Sequence, residues 1–189
     1  MPRAGLTRDI VISKAAMLAN DIGLQNVSMK TLADYLGIKT PSLYNHIRNL
    51  DELKEELMLY GWKRVSDMVV KYEDWDDGYA GIKEYCREFY RYAKENPGVF
   101  EAMLWYNRYG NDRQKEVTKD LYGGFFKLTK RIGISDYHAN HFLRTVRAFL
   151  EGYLLLLNHG AFGNPISVDE SFELSLDVLL EGITKWKEN

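Results

Sequence analysis

The chain has 189 residues, of which 46% are hydrophobic and 28% are charged, an ordinary composition for one or two small globular domains. Its formal net charge of −2 excludes a uniformly basic nucleic-acid binder, and its single cysteine, Cys86, excludes an internal disulfide. The longest purely apolar run, "YLLLL" at 153–157, is too short for a membrane span. These features predict a cytoplasmic protein with no membrane partner.

Positive charge is concentrated in the first quarter of the chain. Residues 1–48 carry six basic and three acidic side chains, a net charge of +3, which leaves −5 for the remainder. The six basic residues are Arg3, Arg8, Lys14, Lys30, Lys39 and Arg48. A mildly positive head on an acidic body is consistent with a nucleic-acid-binding head.

Apolar residues recur at intervals of three and four throughout the chain and strand signals are nearly absent, which predicts an all-α fold. Thr7 is expected to cap the first helix and Ser28 the second, which Gly37 ends. The dipeptide Thr40–Pro41 predicts the start of a third helix, because proline needs no N–H in the first turn.

Longer helices are predicted in the rest of the chain. Asn49 is expected to cap the fourth, with Glu52 in capping-box position. The later helices are expected over 78–95 and 112–132, from Ser135 to about Asn158, and from Asp169 to near Lys187. About nine helices result: a small three-helix head at 1–50, a connector to about residue 71, and a larger bundle at 72–189.

The stretch "MKTLADYLGIKTPSLYNHIR", residues 29–48, has the spacing of a helix-turn-helix. Ala33 is small where two helices must cross, Gly37 supplies the turn, and Leu43 and Ile47 point inward. The polar residues left facing outward suit phosphate oxygens and base edges: Lys39, Thr40, Ser42, Tyr44, Asn45 and His46. The alternative is a solvated helical hairpin with capping residues.

The head resembles that of the TetR (tetracycline-repressor) family of bacterial transcription regulators. The resemblance rests on "AAMLANDIG", "SMKTLADYLGI", "SLYNHI" and "LDELKEEL" in the first four helices. It implies double-stranded operator DNA as a partner. The residues predicted to contact DNA are Ser28, Lys30, Lys39, Thr40, Ser42, Tyr44, Asn45, His46, Arg48 and Lys54.

Two positions depart from the family's pattern. Leu50 stands where the family commonly has a lysine that contacts phosphate, so that contact is missing or is supplied by Arg48 or Lys54. Ile47 replaces the family's usual phenylalanine, a conservative change in the core.

Residues 146–183 resemble the WHG-type TetR C-terminal domain, whose "HG" dipeptide is Glu151–Gly152 here. The resemblance implies that the last two helices pair with those of a second subunit. The residues predicted for this homodimer interface are Phe142, Val146, Leu150, Leu157, Phe172, Leu176, Leu179 and Ile183. The alternative is that the two helices simply pack on each other.

Aromatic residues make up 13% of the chain and crowd its middle, where they can line a pocket for a small-molecule effector. The residues predicted to bind the effector are Tyr85, Phe89, Tyr92, Phe100, Trp105, Tyr106, Phe125, Phe149 and Tyr153. An aromatic lining suggests a flat or hydrophobic effector, and Arg87, Arg91, Arg144 or Arg147 could meet an anionic group. The alternative is an ordinary core.

Catalysis finds no support, since the chain has no phosphate loop and no Gly-x-Ser-x-Gly. His138 and His141 could share a metal with Asp136, but their spacing is more typical of surface histidines, so we expect no metal and no cofactor. Cys86 lies on an apolar face and is expected to be a buried, inert thiol.

The sequence therefore predicts a homodimeric, ligand-responsive transcriptional repressor that a small hydrophobic or aromatic effector releases from its operator. A ligand-independent architectural DNA-binding protein is the alternative. A helical enzyme whose head is only structural is a third possibility.

Overall fold

The computed structural model describes residues 5–109 and 112–187, and within these ranges the chain is helical with no β-strand. The predicted all-α class is confirmed, with ten α-helices among these residues rather than about nine. They are α1 (Arg8–Ile22), α2 (Met29–Leu36), α3 (Thr40–Leu43), α4 (Leu50–Val70), α5 (Gly78–Glu95), α6 (Pro97–Met103), α7 (Arg113–Val117), α8 (Lys119–Ile132), α9 (Asp136–Asn158) and α10 (Val168–Gly182). Over the same ranges, no helix combines the length and apolar character that crossing a bilayer requires.

Four predicted helix starts are confirmed by a side-chain oxygen that accepts a backbone N–H three residues ahead. The Thr7 hydroxyl accepts the Ile10 N–H at 3.3 Å, and the Ser28 hydroxyl accepts the Thr31 N–H at 3.0 Å. The Asn49 amide oxygen accepts the Glu52 N–H at 2.8 Å, and the Ser135 hydroxyl accepts the His138 N–H at 3.4 Å. Glu52 does not close the expected capping box on Asn49. One of its oxygens accepts the Arg48 N–H at 2.6 Å, while the other is bound by Arg8 at 2.7 Å.

The predicted start of the third helix at Thr40–Pro41 is confirmed, although Thr40 does not cap it, whereas the predicted cap of the last helix is wrong by two residues. Thr40 is the first residue of α3, so the cap position falls to Lys39, which has no capping side chain. Ser167 caps α10 in place of Asp169, by accepting a backbone N–H at 3.2 Å. The Asp169 carboxylate is instead bound by the Lys94 ammonium at 2.7 Å.

The prediction of one helix over 112–132 is wrong, because the structure divides it at Thr118. This residue has φ −101° and ψ 3°, outside helical geometry, and separates α7 from α8. The Ser66 hydroxyl of α4 then accepts the Leu121 N–H at 3.0 Å, so a distant side chain satisfies a donor in the first turn of α8. The last helix is also shorter than predicted, since α10 ends at Gly182 and a 3₁₀ turn continues over Ile183–Trp186.

The chain divides into two compact units, each built from two separate stretches. Unit 1 comprises Met1–Lys63 and Glu95–Val117, and unit 2 comprises Arg64–Lys94 and Thr118–Asn189. These contact units differ from the division at 1–50 and 72–189, which stays a prediction about function. α6 and α7 share a unit with the first three helices.

Asn20 of α1 joins the two stretches of unit 1 by capping α6. Its side-chain oxygen accepts the N–H groups of Gly98 and Val99, both at 3.1 Å. A Cβ atom on Gly98 would lie 2.0 Å from the Ala19 carbonyl oxygen, so only glycine allows α6 to approach this closely. The Trp62 indole N–H adds a third link, by donating to the Met103 carbonyl at 3.0 Å.

Unit 2 has an aromatic core, and a series of partly exposed ion pairs joins two of its helices. Phe125, Phe142 and Phe172 are fully buried, and the rings of Phe149 and Phe172 are stacked with their centroids 5.5 Å apart. α5 and α10 are joined by the pairs Lys83–Asp177, Arg87–Glu173 and Lys94–Asp169, whose acidic members lie about one turn apart along α10. Partly exposed pairs of this kind typically contribute about 0–1 kcal/mol each, so we assign them to helix register more than to stability.

We expect Gly98→Ala to destabilise the protein by about 1–3 kcal/mol, because the new methyl group must displace the backbone of α1. Gly123→Ala is the matched control, since a Cβ atom there meets nothing within 4 Å on the exposed side of α8. That change should stabilise by up to about 1 kcal/mol through helix propensity. Urea unfolding of both variants measures the difference, and equal effects would contradict the close approach.

Candidate nucleic-acid interface and ligand region

A tight turn joins α2 and α3 at the position where the sequence predicts a helix-turn-helix. Ser28 and Thr31 form a capping box at the start of α2. Gly37 ends that helix in the left-handed region with φ 66°, where a residue with a side chain would be strained. α3 is only one turn long, and the buried side chains of Leu43 and Ile47 hold it and the following turn against unit 1.

Four of the predicted DNA-contacting residues form an exposed surface that we call the α3 face: Lys39, Ser42, Tyr44 and Asn45. Tyr44 keeps 51% of its surface exposed although it is a large aromatic residue. The surface combines a cation, a hydroxyl, a phenol and an amide, which are the groups that bind phosphate oxygens and base edges. The other two outward predictions, Thr40 and His46, are half-buried.

The remaining predicted contacts have partners within the chain, except Lys30, which is exposed on α2. Ser28 is occupied as the cap of α2. Arg48 is exposed but pairs with Glu52 at 3.1 Å, and the Lys54 ammonium lies 5.0 Å from the centre of the Trp105 ring. Both candidates to replace the missing lysine at Leu50 are thus engaged internally. Among the basic residues of the head, Arg3 lies outside the described residues.

One arginine at the start of α1, which sequence reasoning did not select, holds the end of the α3 region. The Arg8 guanidinium donates to the His46 carbonyl, to Glu52 at 2.7 Å and to Glu56 at 2.9 Å. We call these four residues the Arg8 clamp. The bonds span 38 to 48 residues in sequence, so no local pattern could have predicted them.

The clamp changes the ionisation of Glu52. Burial alone would raise the pKa of this carboxyl group, but hydrogen bonds from Arg8 and from the Arg48 N–H outweigh it and bring the pKa from 4.5 down to about 2. The same bond to Glu52 raises the pKa of the Arg8 guanidinium. Both groups are therefore charged at neutral pH.

The residues predicted to bind an effector fall into both units. Phe100, Trp105 and Tyr106 belong to unit 1, and Tyr85, Phe89, Tyr92, Phe125, Phe149 and Tyr153 belong to unit 2. Five of the nine are buried, while Tyr92, Trp105, Phe149 and Tyr153 are half-buried. The predicted effector residues therefore form two sets of buried and half-buried aromatic side chains, one in each unit.

A charged pair lies near Tyr85 of the unit 2 set. Arg147 donates to Glu151 at 2.7 Å along α9, and both charges act on the buried Tyr85 hydroxyl. Burial raises the pKa of Glu151 even though Arg147 opposes that shift, because desolvation is the larger effect. Of the other predicted anion partners, Arg87 is bound by Glu173, and Arg144 is exposed beside an open groove.

Most of the predicted dimer residues face inward in the single chain. Six of the eight are buried in their own subunit, and Leu157 and Leu179 are half-buried. The six buried side chains are not exposed to a second copy in the single chain, whereas Leu157 and Leu179 are partly exposed, and the interface stays a prediction. The apolar residues that do face outward on α10 are Leu174 and Val178, which are 62% and 71% exposed. With Phe149, Ser175 and Leu179 they line an open groove of about 480 Å³.

His138 and His141 contact neighbouring side chains of the protein, and Cys86 lies in its core. His138 shares a hydrogen bond of 3.0 Å with the Ser135 hydroxyl and stacks on Trp186, while His141 packs edge-on against Tyr137. The described part of the chain contains no group of three or more side chains arranged to hold a metal ion. Cys86 is fully buried, which raises the pKa of its thiol well above the usual range.

Comparison with known proteins identifies relatives over the whole chain. Residues 82–179, more than half of the chain, match the family model "Tetracyclin repressor-like, C-terminal domain". The HTH-type transcriptional regulator YobS of Bacillus subtilis (strain 168) is 29% identical over 187 residues, which cover 96% of this chain and 95% of that protein.

Solved structures share the fold at lower sequence identity. A single-substitution variant of TetR from Acinetobacter baumannii AYE, in complex with minocycline, superposes with a TM-score of 0.71 at 19% identity, covering 98% of this chain and 100% of that one. ActR from Streptomyces coelicolor, in complex with actinorhodin, gives 0.71 at 20% identity, covering 96% and 98%.

We expect Glu52→Gln to destabilise the protein by about 1.5–3 kcal/mol at pH 7, because the Arg8 clamp loses a charged acceptor. The pKa of Glu52 is lowered by folding, so its stabilisation is complete above pH 4.5 and is lost as the pH falls from 4.5 towards 2. The difference between wild type and variant should therefore narrow over that interval.

Urea unfolding at pH 7 and at pH 3 measures this difference. Asp51→Asn is the control, since Asp51 lies exposed in the same turn and should change stability by less than about 1 kcal/mol at either pH. A Glu52→Gln effect that is the same at both pH values would contradict the role of the charge.

Proposed function

The chain belongs to the tetracycline-repressor family of DNA-binding transcription regulators, and we propose that it is a homodimeric, cytoplasmic repressor released from its operator by a small hydrophobic or aromatic effector. The family's members are regulators and not enzymes, so the possibility of a helical enzyme is set aside.

The α3 face is the observation that carries the proposal. An exposed tyrosine beside a lysine, a serine and an asparagine, on and around the one-turn helix that follows Gly37, suits the major groove of double-stranded DNA. The Arg8 clamp supports this assignment because it fixes the end of the α3 region before DNA arrives. Lys39 is assigned to a phosphate, and Tyr44 and Asn45 to the groove.

The proposed dimer uses the outward apolar surface of α9 and α10. Leu174 and Val178 are four residues apart on α10, so they form one stripe that water would otherwise cover. A second copy presenting the same stripe about a twofold axis would bury both. The inward residues predicted from sequence, such as Leu150 and Leu176, support the surface from beneath.

Effector binding is proposed for the aromatic residues of unit 2, with the Arg147–Glu151 pair as the polar group that meets it. Minocycline in the TetR variant and actinorhodin in ActR support a small-molecule ligand for this fold. α4 runs from unit 1 into unit 2, so a ligand that displaces its last turns can move the head. Coupling of this kind is typically about 1–3 kcal/mol and acts equally on effector and DNA affinity.

A ligand-independent architectural DNA binder is the remaining alternative. To distinguish these two functions, a DNA site is first selected by the wild-type protein from random duplexes, and the complex of the protein with that site is formed. The complex is then titrated with a panel of aromatic compounds that includes minocycline. Release by any compound selects the ligand-responsive repressor, and stable binding throughout the panel selects the architectural protein.

We expect Lys39→Ala and Tyr44→Ala each to weaken binding to the selected DNA site. The lysine variant should also lower the slope of log affinity against log salt by about one, because one phosphate contact is lost. Fluorescence anisotropy at several salt concentrations measures both effects. Lys130→Ala, an exposed lysine of unit 2, is the control, and wild-type binding by both α3-face variants would refute the assignment.

We expect Leu174→Asp and Val178→Asp to produce folded monomers, because each places a charge in the proposed apolar interface. Sedimentation velocity measures the association state, and circular dichroism reports folding. Val70→Asp, at an exposed apolar residue at the end of α4, is the control and should stay dimeric. Leu150→Asp should instead unfold the chain, since Leu150 is buried in its own subunit. Intact dimers in both α10 variants would place the interface elsewhere.

A further inference from the structure

Glu56 of α4 is a buried carboxylate bound by arginines from two different helices. Only 6% of its surface is exposed. The same oxygen, Oε1, lies 2.9 Å from Arg8 Nη2 of α1 and 2.7 Å from Arg113 Nη2 of α7. A carboxylate this buried must remain paired, so its position depends on both cations.

Arg8 continues the connection towards the α3 face. While its Nη2 binds Glu56 and Glu52, its Nη1 donates to the His46 carbonyl, which lies just before the buried Ile47. A contiguous series of charged contacts therefore runs from α7 through α4 and α1 to the end of the α3 region, entirely within unit 1. Neither the helical periodicity nor the family resemblance accounts for the position of Arg113.

We propose that Arg113 is a positioning residue for DNA recognition, acting through Glu56 and Arg8. When Arg113 withdraws, Glu56 keeps Arg8 as its cation and draws it away from the His46 carbonyl, so the α3 face loses its fixed orientation. This proposal rests on the proposed function, because it assigns the α3 face to DNA. If Arg113 acts in this way, the segment around α7 influences the affinity for operator DNA in addition to the effector region.

Two neighbouring glutamates provide a matched comparison. Glu55 also binds Arg113, at a longer 3.4 Å, whereas Glu56 binds Arg113 at 2.7 Å and Arg8 at 2.9 Å. Glu56→Gln and Arg113→Gln should each weaken binding to the selected DNA site by about 3–30-fold, the range expected for residues that act at a distance from the ligand. Glu55→Gln should stay within about twofold of wild type, and Arg113→Lys should recover part of the loss.

Two readouts separate positioning from a direct contact or a general loss of stability. The salt slope of DNA binding should be unchanged in Arg113→Gln, whereas a lost phosphate contact would lower it by about one. Hydrogen exchange of the free protein should increase in the peptide covering residues 40–49 and stay unchanged in the core of α1, residues 11–19. An increase spread over both peptides would indicate loss of stability alone and would overturn the proposal.

The remaining outcomes are also decisive. Wild-type affinity in Arg113→Gln, a lowered salt slope, or equal effects of Glu55→Gln and Glu56→Gln would each overturn the role of Arg113 while leaving DNA binding intact. Failure of the wild-type protein to select any duplex would refute the proposed function itself. The exchange experiment needs no DNA, so it tests the connection from Arg113 to the α3 region in either case.

Discussion

A helix of one turn cannot hold its own direction, and this constraint governs unit 1. α3 has four residues and no capping side chain, and it is anchored by the buried Leu43 within it and the buried Ile47 in the turn that follows. Isolated helices of this length are unstable in water. Its geometry is therefore imposed from outside, by Gly37 at the preceding turn and by the Arg8 clamp at the following one. The exposed polar surface can then present several side chains at fixed positions without depending on helix propensity.

Local chemistry was predictable from the sequence, and long-range chemistry was not. The caps at Thr7, Ser28 and Asn49 involve partners three residues away, so the residue type and its spacing were sufficient. Arg8 finds its partners 38 to 48 residues away, and in the sequence it was only one of six basic residues in the head. Asp169 failed as a cap for the same reason, because a lysine 75 residues away binds its carboxylate.

The direction of the apolar faces was the other limit of sequence reasoning. α10 has apolar residues on two sides, with Leu176 inward and Val178 outward. The spacing of apolar residues reveals both stripes but does not show which one faces the core, because an interface between two copies of a chain can be as rich in apolar residues as an interior. Packing within the chain shows which side of α10 faces the core, because Phe172 on that side stacks on the rings of Tyr90 and Phe149.

The discontinuous make-up of unit 1 limits how this regulator can be recombined with others. A chimera that exchanged only residues 1–63 would remove Asn20 from the N–H groups of Gly98 and Val99 and would separate Trp62 from the Met103 carbonyl. It would also part Glu56 from Arg113. A graft that carries residues 95–117 along with the N-terminal stretch keeps all three connections. The part of this protein that can be exchanged as a whole therefore consists of two segments of chain, the N-terminal stretch up to residue 63 and the stretch 95–117 that carries α6 and α7.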